Sequence, residues 1–125
     1  MADPLIYIGT HGIKPGMLDT AKEASRQLVE FVEPNHPRMI HFEVDIDDDA
    51  REMTVIQIHP DEESLLFHVQ LAADRIKAAY EFLDRTTKIE IFGDPSDKVT
   101  AMIDQMGSGA PVRFNTAVAG FSRLT

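Results

Sequence analysis

The chain contains no cysteine and no tryptophan, is short of basic residues and lacks long apolar runs. Without cysteine, disulfides, thiolate nucleophiles and Cys-ligated zinc are excluded outright. Lys and Arg number 12 against 21 Asp and Glu, and the net charge of -9 repels phosphate backbones and anionic bilayers. Neither nucleic acid nor a membrane is therefore expected as a partner. The apolar runs at 5–9 and 117–121 are about five residues long, against the roughly 20 that a spanning helix needs. Met1-Ala2-Asp3-Pro4 shows no cationic stretch leading into an apolar one, so no secretory signal is read and a cytoplasmic protein is expected. What is present is ordinary for a folded domain: 125 residues, 43% hydrophobic and 26% charged, enough for one core and too few for two.

The seven prolines, at 4, 15, 34, 37, 60, 95 and 111, fall between periodic segments and map their boundaries. Leu5 to Thr10 is β-rich and runs into the turn Ile13-Lys14-Pro15-Gly16. From Met17 to Val32 the apolar residues Met17, Leu18, Ala21, Ala24, Leu28, Phe31 and Val32 recur at spacings of three and four, which predicts a helix. Pro34 disfavours helical backbone at Glu33, so that helix is expected to stop there. Arg38 to Asp47 alternates, Met53 to His59 is a second β run, and the acids at 47–49 form the turn of a hairpin.

After Pro60 the acids Asp61, Glu62 and Glu63 suit a helix N-terminus. One helix is predicted from there to about Leu83, with Leu65, Val69, Ala72, Ile76, Ala79 and Leu83 on a core stripe. A second strip, Phe67, Leu71 and Phe82, predicts that this helix is covered twice. Thr86 to Phe92 reads as a fourth strand. Asp94 is the expected cap of a further helix, with Pro95 in its first turn, Val99, Met102, Ile103 and Met106 on one face, and Gly107 as its stop. Gly107-Ser108-Gly109 reads as a flexible joint, and Val112 to Phe121 as a fifth strand, joining the sheet edge or crossing to another subunit.

The order βαββαβ followed by αβ predicts an α+β, ferredoxin-like antiparallel sheet with its helices on one face. Strands apolar on both sides, Leu5 and Tyr7 against Ile6 and Ile8, leave the helix-free face needing a cover. A homodimer joined through that face is expected.

Ile6-Tyr7-Ile8 leading to Lys14-Pro15-Gly16 and a helix, then a hairpin, then Gln57-Ile58-His59-Pro60-Asp61-Glu62-Glu63-Ser64 and a helix carrying His68, resembles the antibiotic biosynthesis monooxygenase domain. The resemblance covers roughly residues 5–92, with 93–125 as a helix-strand extension of the same single domain. It implies a dimeric α/β barrel built from ferredoxin-like subunits. It also implies an oxygenase that works without cofactor, holding a phenol or quinol between sheet and helices, deprotonating it and letting the anion react with dioxygen.

Such a site needs a base and a lining that excludes water. His68, at the margin of the core stripe about one turn before Ala72, is the candidate catalytic base, and the alternative is a histidine on the helix flank bonded to backbone. Tyr7, His59 and Ala72 are the candidate substrate-binding residues: a phenol that orients the substrate, a pocket wall and a small residue leaving room. Packing for Tyr7 and a turn position for His59 are the alternatives. Gln57 stands where the resembled family often carries an acid. His41, His59 and His68 form no metal-binding spacing, and no metal is expected. The missing tryptophan, and the absence of a histidine after His68, count against haem breakdown. No phosphate loop, dinucleotide glycine pattern or nucleophile elbow is present. A second function class stays open: a non-catalytic dimeric module that binds a small apolar or aromatic molecule or supports an assembly.

Overall fold

A computed structural model describes residues 4–123. The strands are β1 (Leu5–Ile13), β2 (His41–Asp47), β3 (Glu52–His59), β4 (Leu83–Phe92) and β5 (Val112–Asn115). The helices are α1 (Leu18–Asn35), α2 (Glu62–Leu71), α3 (Ala73–Ala78) and α4 (Asp97–Met106). One five-stranded open sheet has the order β2-β3-β1-β4-β5, antiparallel except where β5 runs parallel to β4. The first four strands in that order reproduce the ferredoxin-like arrangement, and β5 extends its edge.

Pairing registers sort the side chains between the faces. Leu5 and Tyr7 of β1 stand beside His59 and Gln57 of β3, and Tyr7 is also flanked by Ile91 of β4. These point toward the helices and are buried. Ile6, Ile8, Ile56, Ile58 and Phe92 alternate with them, form a row across β3, β1 and β4, and are only half-buried on the helix-free side. The core under the helices divides into two clusters. One packs Leu65 of α2 and Val99 and Ile103 of α4 on Leu5, Tyr7, Ile89 and Ile91. The other packs Ala21 of α1 on Ile13, Met53, Val55 and Leu83.

Several boundaries differ from the sequence expectation, each for a local reason. β1 continues to Ile13 and β4 starts at Leu83, because Ile13 and Leu83 are register partners on the antiparallel ladder. The first helix passes through Pro34 to Asn35. An exposed proline in the last turn costs only one intrahelical bond, and two others close the end: Asn35 Nδ2 donates to Phe31 O at 2.7 Å and His36 N to Val32 O at 2.9 Å. The long helix predicted from Pro60 to Leu83 is interrupted at Ala72 and ends in a 3-10 turn, Ala79–Glu81. Neither proline nor glycine marks that interruption. Phe82 thus lies off the helix and is buried in the α1 cluster, so it is not part of the second strip, while Phe67 is 48% exposed within the single chain.

Ser96, not Asp94, caps α4 by accepting from Val99 N at 3.4 Å, and Pro95 precedes the cap. Glu62 ties this cap to the first turn of α2, accepting from Ser96 N at 2.7 Å and Ser96 Oγ at 2.9 Å. Gly107 does close the helix. β5 ends at Asn115 rather than Phe121, and Val118 and Phe121 beyond it are 100% and 80% exposed. No helix among the described residues is long and apolar enough to cross a membrane.

Candidate functional site

A cavity of about 360 Å³ lies between the sheet and the helices, at the seam of the two core clusters. Its walls are largely apolar, with Phe42, Met53, Val55 and Leu65 among them; Tyr7, Gln57, His68 and Tyr80 are among its polar lining residues, as is a second imidazole, His11, which is 3.2 Å from Thr86 Oγ1. Volume and lining are those of a small-molecule site. Arg75 sits at its rim, the guanidinium 4.3 Å from the centre of the Phe31 ring.

Alternation puts Gln57 and His59 on the same face of β3, and the Pro60-Asp61 turn then starts α2 at once. Asp61 caps this helix by accepting from Ser64 N at 3.0 Å and pairs with Arg38. That tight entry carries Ser64 Oγ to 2.6 Å from His59 Nδ1, and His59 Nε2 lies 2.9 Å from Gln57 Oε1. His36, just past the end of α1, places Nε2 3.0 Å from Ser64 O and 3.4 Å from Ser64 Oγ. One helical turn after Ser64 comes His68. The rings of His36, His59 and His68 stand 5.9–6.0 Å apart, forming a buried triangle of imidazoles.

Burial fixes the protonation of His59 and His68. His68, 3% exposed, is pushed down to about 4, first by desolvation and then by the neighbouring His36. His59, fully buried, is pushed down to about 3 by desolvation, with His68 and His36 adding to it. Both are neutral at pH 7. His68 Nδ1 is sealed without a hydrogen-bond partner, and its ring meets Phe42 edge-on at 5.2 Å. Tyr7 is pushed up to about 12 by burial and then by Tyr80, so its phenol keeps its proton. The ring rests against Gly9, where an added Cβ would come within 2.9 Å of Tyr7 Oη.

No protein-family model and no curated protein matches this chain. Solved structures match in fold. MupZ from Pseudomonas fluorescens superimposes with a TM-score of 0.77 at 16% identity, covering 97% of this chain and 95% of that one. A protein from Caulobacter crescentus described as a putative antibiotic biosynthesis monooxygenase gives 0.66 at 12% identity, covering 76% and 92%. A further antibiotic biosynthesis monooxygenase gives 0.62 at 19%, covering 74% and 99%. The fold is that of the antibiotic biosynthesis monooxygenase domain. The likeness to MupZ takes in the α4–β5 unit as well, since it leaves almost none of the chain uncovered.

Within this monooxygenase-type fold the residues singled out from sequence separate into two groups. Tyr7 and His68 line the cavity. His59 stands behind the wall, joined to it through Gln57, and Ala72 is buried at the junction of α2 and α3 without lining the cavity. His41 lies away from His59 and His68: it is exposed and 2.8 Å from Glu43 Oε1 on the helix-free side. Among the described residues no group of His, Asp and Glu is arranged to hold a metal. Sequence reasoning missed His36. Its one signal was its place just before Pro37, at the end of α1, from where its ring reaches Ser64 of α2. It also set Gln57 aside as a missing acid, whereas its amide reaches the cavity wall.

Proposed function

We propose that the protein is a cofactor-independent monooxygenase acting on a small aromatic phenol or quinol bound in this cavity. The observation that supports it is the largely apolar space of about 360 Å³ with a neutral imidazole, His68, in its wall. His68 accepts the hydroxyl proton, and the phenolate reduces dioxygen directly. One oxygen atom enters the ring to give a quinone and the other leaves as water, with both hydrogens of the water supplied by the substrate, so that no external reductant is consumed.

The pKa of about 4 restricts which phenols qualify. Transfer from a phenol near 10 is uphill by six units, roughly 8 kcal/mol, before the resulting ion pair is counted. Attraction between phenolate, imidazolium and the rim guanidinium of Arg75 offsets part of that, and a substrate with an acidified hydroxyl removes more. The same depression favours the second reading, a module that binds an aromatic molecule without turnover. Oxygen uptake separates the two. Wild-type protein should consume oxygen with acyl- or nitro-substituted naphthols and quinols, and His68→Ala should not. Binding without oxygen uptake by the wild type, across that panel, selects the binding module.

The working unit is proposed to be a homodimer joined by the helix-free face. Its support is the half-buried row Ile6, Ile8, Ile56, Ile58 and Phe92, together with the exposure of Val118 and Phe121 after β5. Light scattering should give twice the 14.0 kDa chain mass at micromolar concentration, and a particle of single-chain mass would refute it.

A further inference from the structure

The orientation of Gln57 follows proton by proton from the groups behind it. Ser64 O is a carbonyl and only accepts, so His36 Nε2, 3.0 Å away, bears a hydrogen and donates to it. The same N–H lies 3.4 Å from Ser64 Oγ, so the serine hydroxyl does not donate back to His36. Its proton goes to His59 Nδ1 at 2.6 Å. A neutral imidazole has one donor and one acceptor nitrogen, so His59 Nε2 carries the other hydrogen and donates to Gln57 Oε1 at 2.9 Å. Reversing the Gln57 amide would reverse His59 as well. Ser64 Oγ would then receive an N–H from both imidazoles while its own hydrogen had no acceptor among the described residues.

The amide oxygen is thus committed to the back of the wall. Gln57 lines the cavity, and its amide nitrogen has no protein partner among the described residues and is not one of the sealed, unpaired polar atoms. A donor fixed in this way at an apolar cavity selects an oxygen that accepts. We propose that Gln57 is a specificity-determining residue, aimed by the Ser64–His59 relay so that its amide N–H holds an accepting oxygen, a carbonyl or phenolate, of the cavity ligand. The proposal rests on the cavity being a ligand site, as the functional reading above also does.

Three fluorescent probes test it: naphthalene, 2-acetylnaphthalene, whose only polar atom is an accepting oxygen, and 2-naphthol, whose hydroxyl also donates. The protein contributes no tryptophan emission. Wild type should bind 2-acetylnaphthalene about five- to tenfold tighter than naphthalene, the range of one neutral hydrogen bond. Gln57→Leu should abolish that preference with naphthalene affinity kept. Gln57→Glu retains an oxygen for His59 but turns the forward group from donor to acceptor, so 2-acetylnaphthalene should weaken while 2-naphthol does not. A merely structural role would move all three probes together. Should neither variant fold, Ser64→Ala, which breaks the relay from outside the cavity, must lower the same preference. An unchanged ratio, or a wild-type ratio near one, overturns the role of Gln57 and leaves the ligand site standing. Failure of wild type to bind any probe overturns both.

Discussion

Acid should unfold this protein earlier than its carboxylates alone would bring about, because two buried histidines must gain protons to reach the unfolded state's equilibrium. His68 and His59 have folded pKa values of about 4 and about 3, against about 6.5 when unfolded. Between those limits the unfolded chain binds protons that the folded one refuses, so stability falls as pH falls. At pH 5 each histidine is 1.5 units below its unfolded value and still neutral when folded. Each therefore removes roughly 2 kcal/mol relative to pH 7.5, and together about 4 kcal/mol. The two add at pH 5 because neither has yet charged the other. His11, lowered by burial, acts in the same direction, and Asp45, raised by its bond with Glu43, acts weakly against it from an exposed position. Asp61, held below the ordinary carboxylate range by Arg38, loses its contribution only under about pH 4. A loss of that size is a large part of the 5–15 kcal/mol typical of a domain. Urea unfolding followed by far-UV circular dichroism at pH 7.5 and pH 5 measures it, and His68→Gln should halve the difference. A difference under about 1 kcal/mol would show that the imidazoles are not desolvated in the way the fold implies.

Three further outcomes follow from particular contacts. Gly9→Ala puts a Cβ 2.9 Å from Tyr7 Oη and should displace the phenol into the cavity. Probe affinity should fall for a stability cost of about 1–3 kcal/mol, and a crystal structure of the variant with Tyr7 unmoved would refute this. Ser64→Ala removes the hydroxyl that donates to a fully buried His59 Nδ1 and should cost about 1–3 kcal/mol in urea unfolding, where a cost within error would mean that the 2.6 Å contact does no work. Truncation after Asn115 removes exposed Val118 and Phe121 but keeps β5 paired with β4. The truncated chain should keep its circular dichroism spectrum while the proposed dimer weakens in light scattering, and an equally stable dimer would show that the tail contributes nothing to association.

Elements were legible where local chemistry and tertiary demand agree. Alternation in 38–47 and 53–59, the Pro15-Gly16 turn with Gly16 at φ 79°, and the acids before α2 all say locally what the fold requires. They failed where packing overrode the local signal. Pro34 looked like a stop, but a proline near a helix C-terminus leaves most of the turn's bonds intact. Ala72 and its neighbours are good helix formers and gave no hint of a break. The apolar 117–121 run read as strand because hydrophobicity marks what must be covered and not which chain covers it.

The site was half legible, and the division is physical. His68 and Tyr7 could be placed because each sits on a periodic element whose inward face the pattern defines. The Gln57-His59-Ser64-His36 relay could not, because its members come from a strand end, a helix start and the exit of another helix, and what joins them is the tight Pro60-Asp61 turn and the path of the chain after Pro34. Sequence treated Gln57 as the loss of an acid. In the folded protein an acid there would have faced His59 with one oxygen and the cavity with the other, repelling any phenolate formed beside His68. An amide keeps the acceptor that His59 needs and offers the cavity a donor. The departure from the resembled pattern is thus coherent with a ligand that carries negative or accepting oxygen, and it is the relay behind the wall, more than the wall itself, that makes it so.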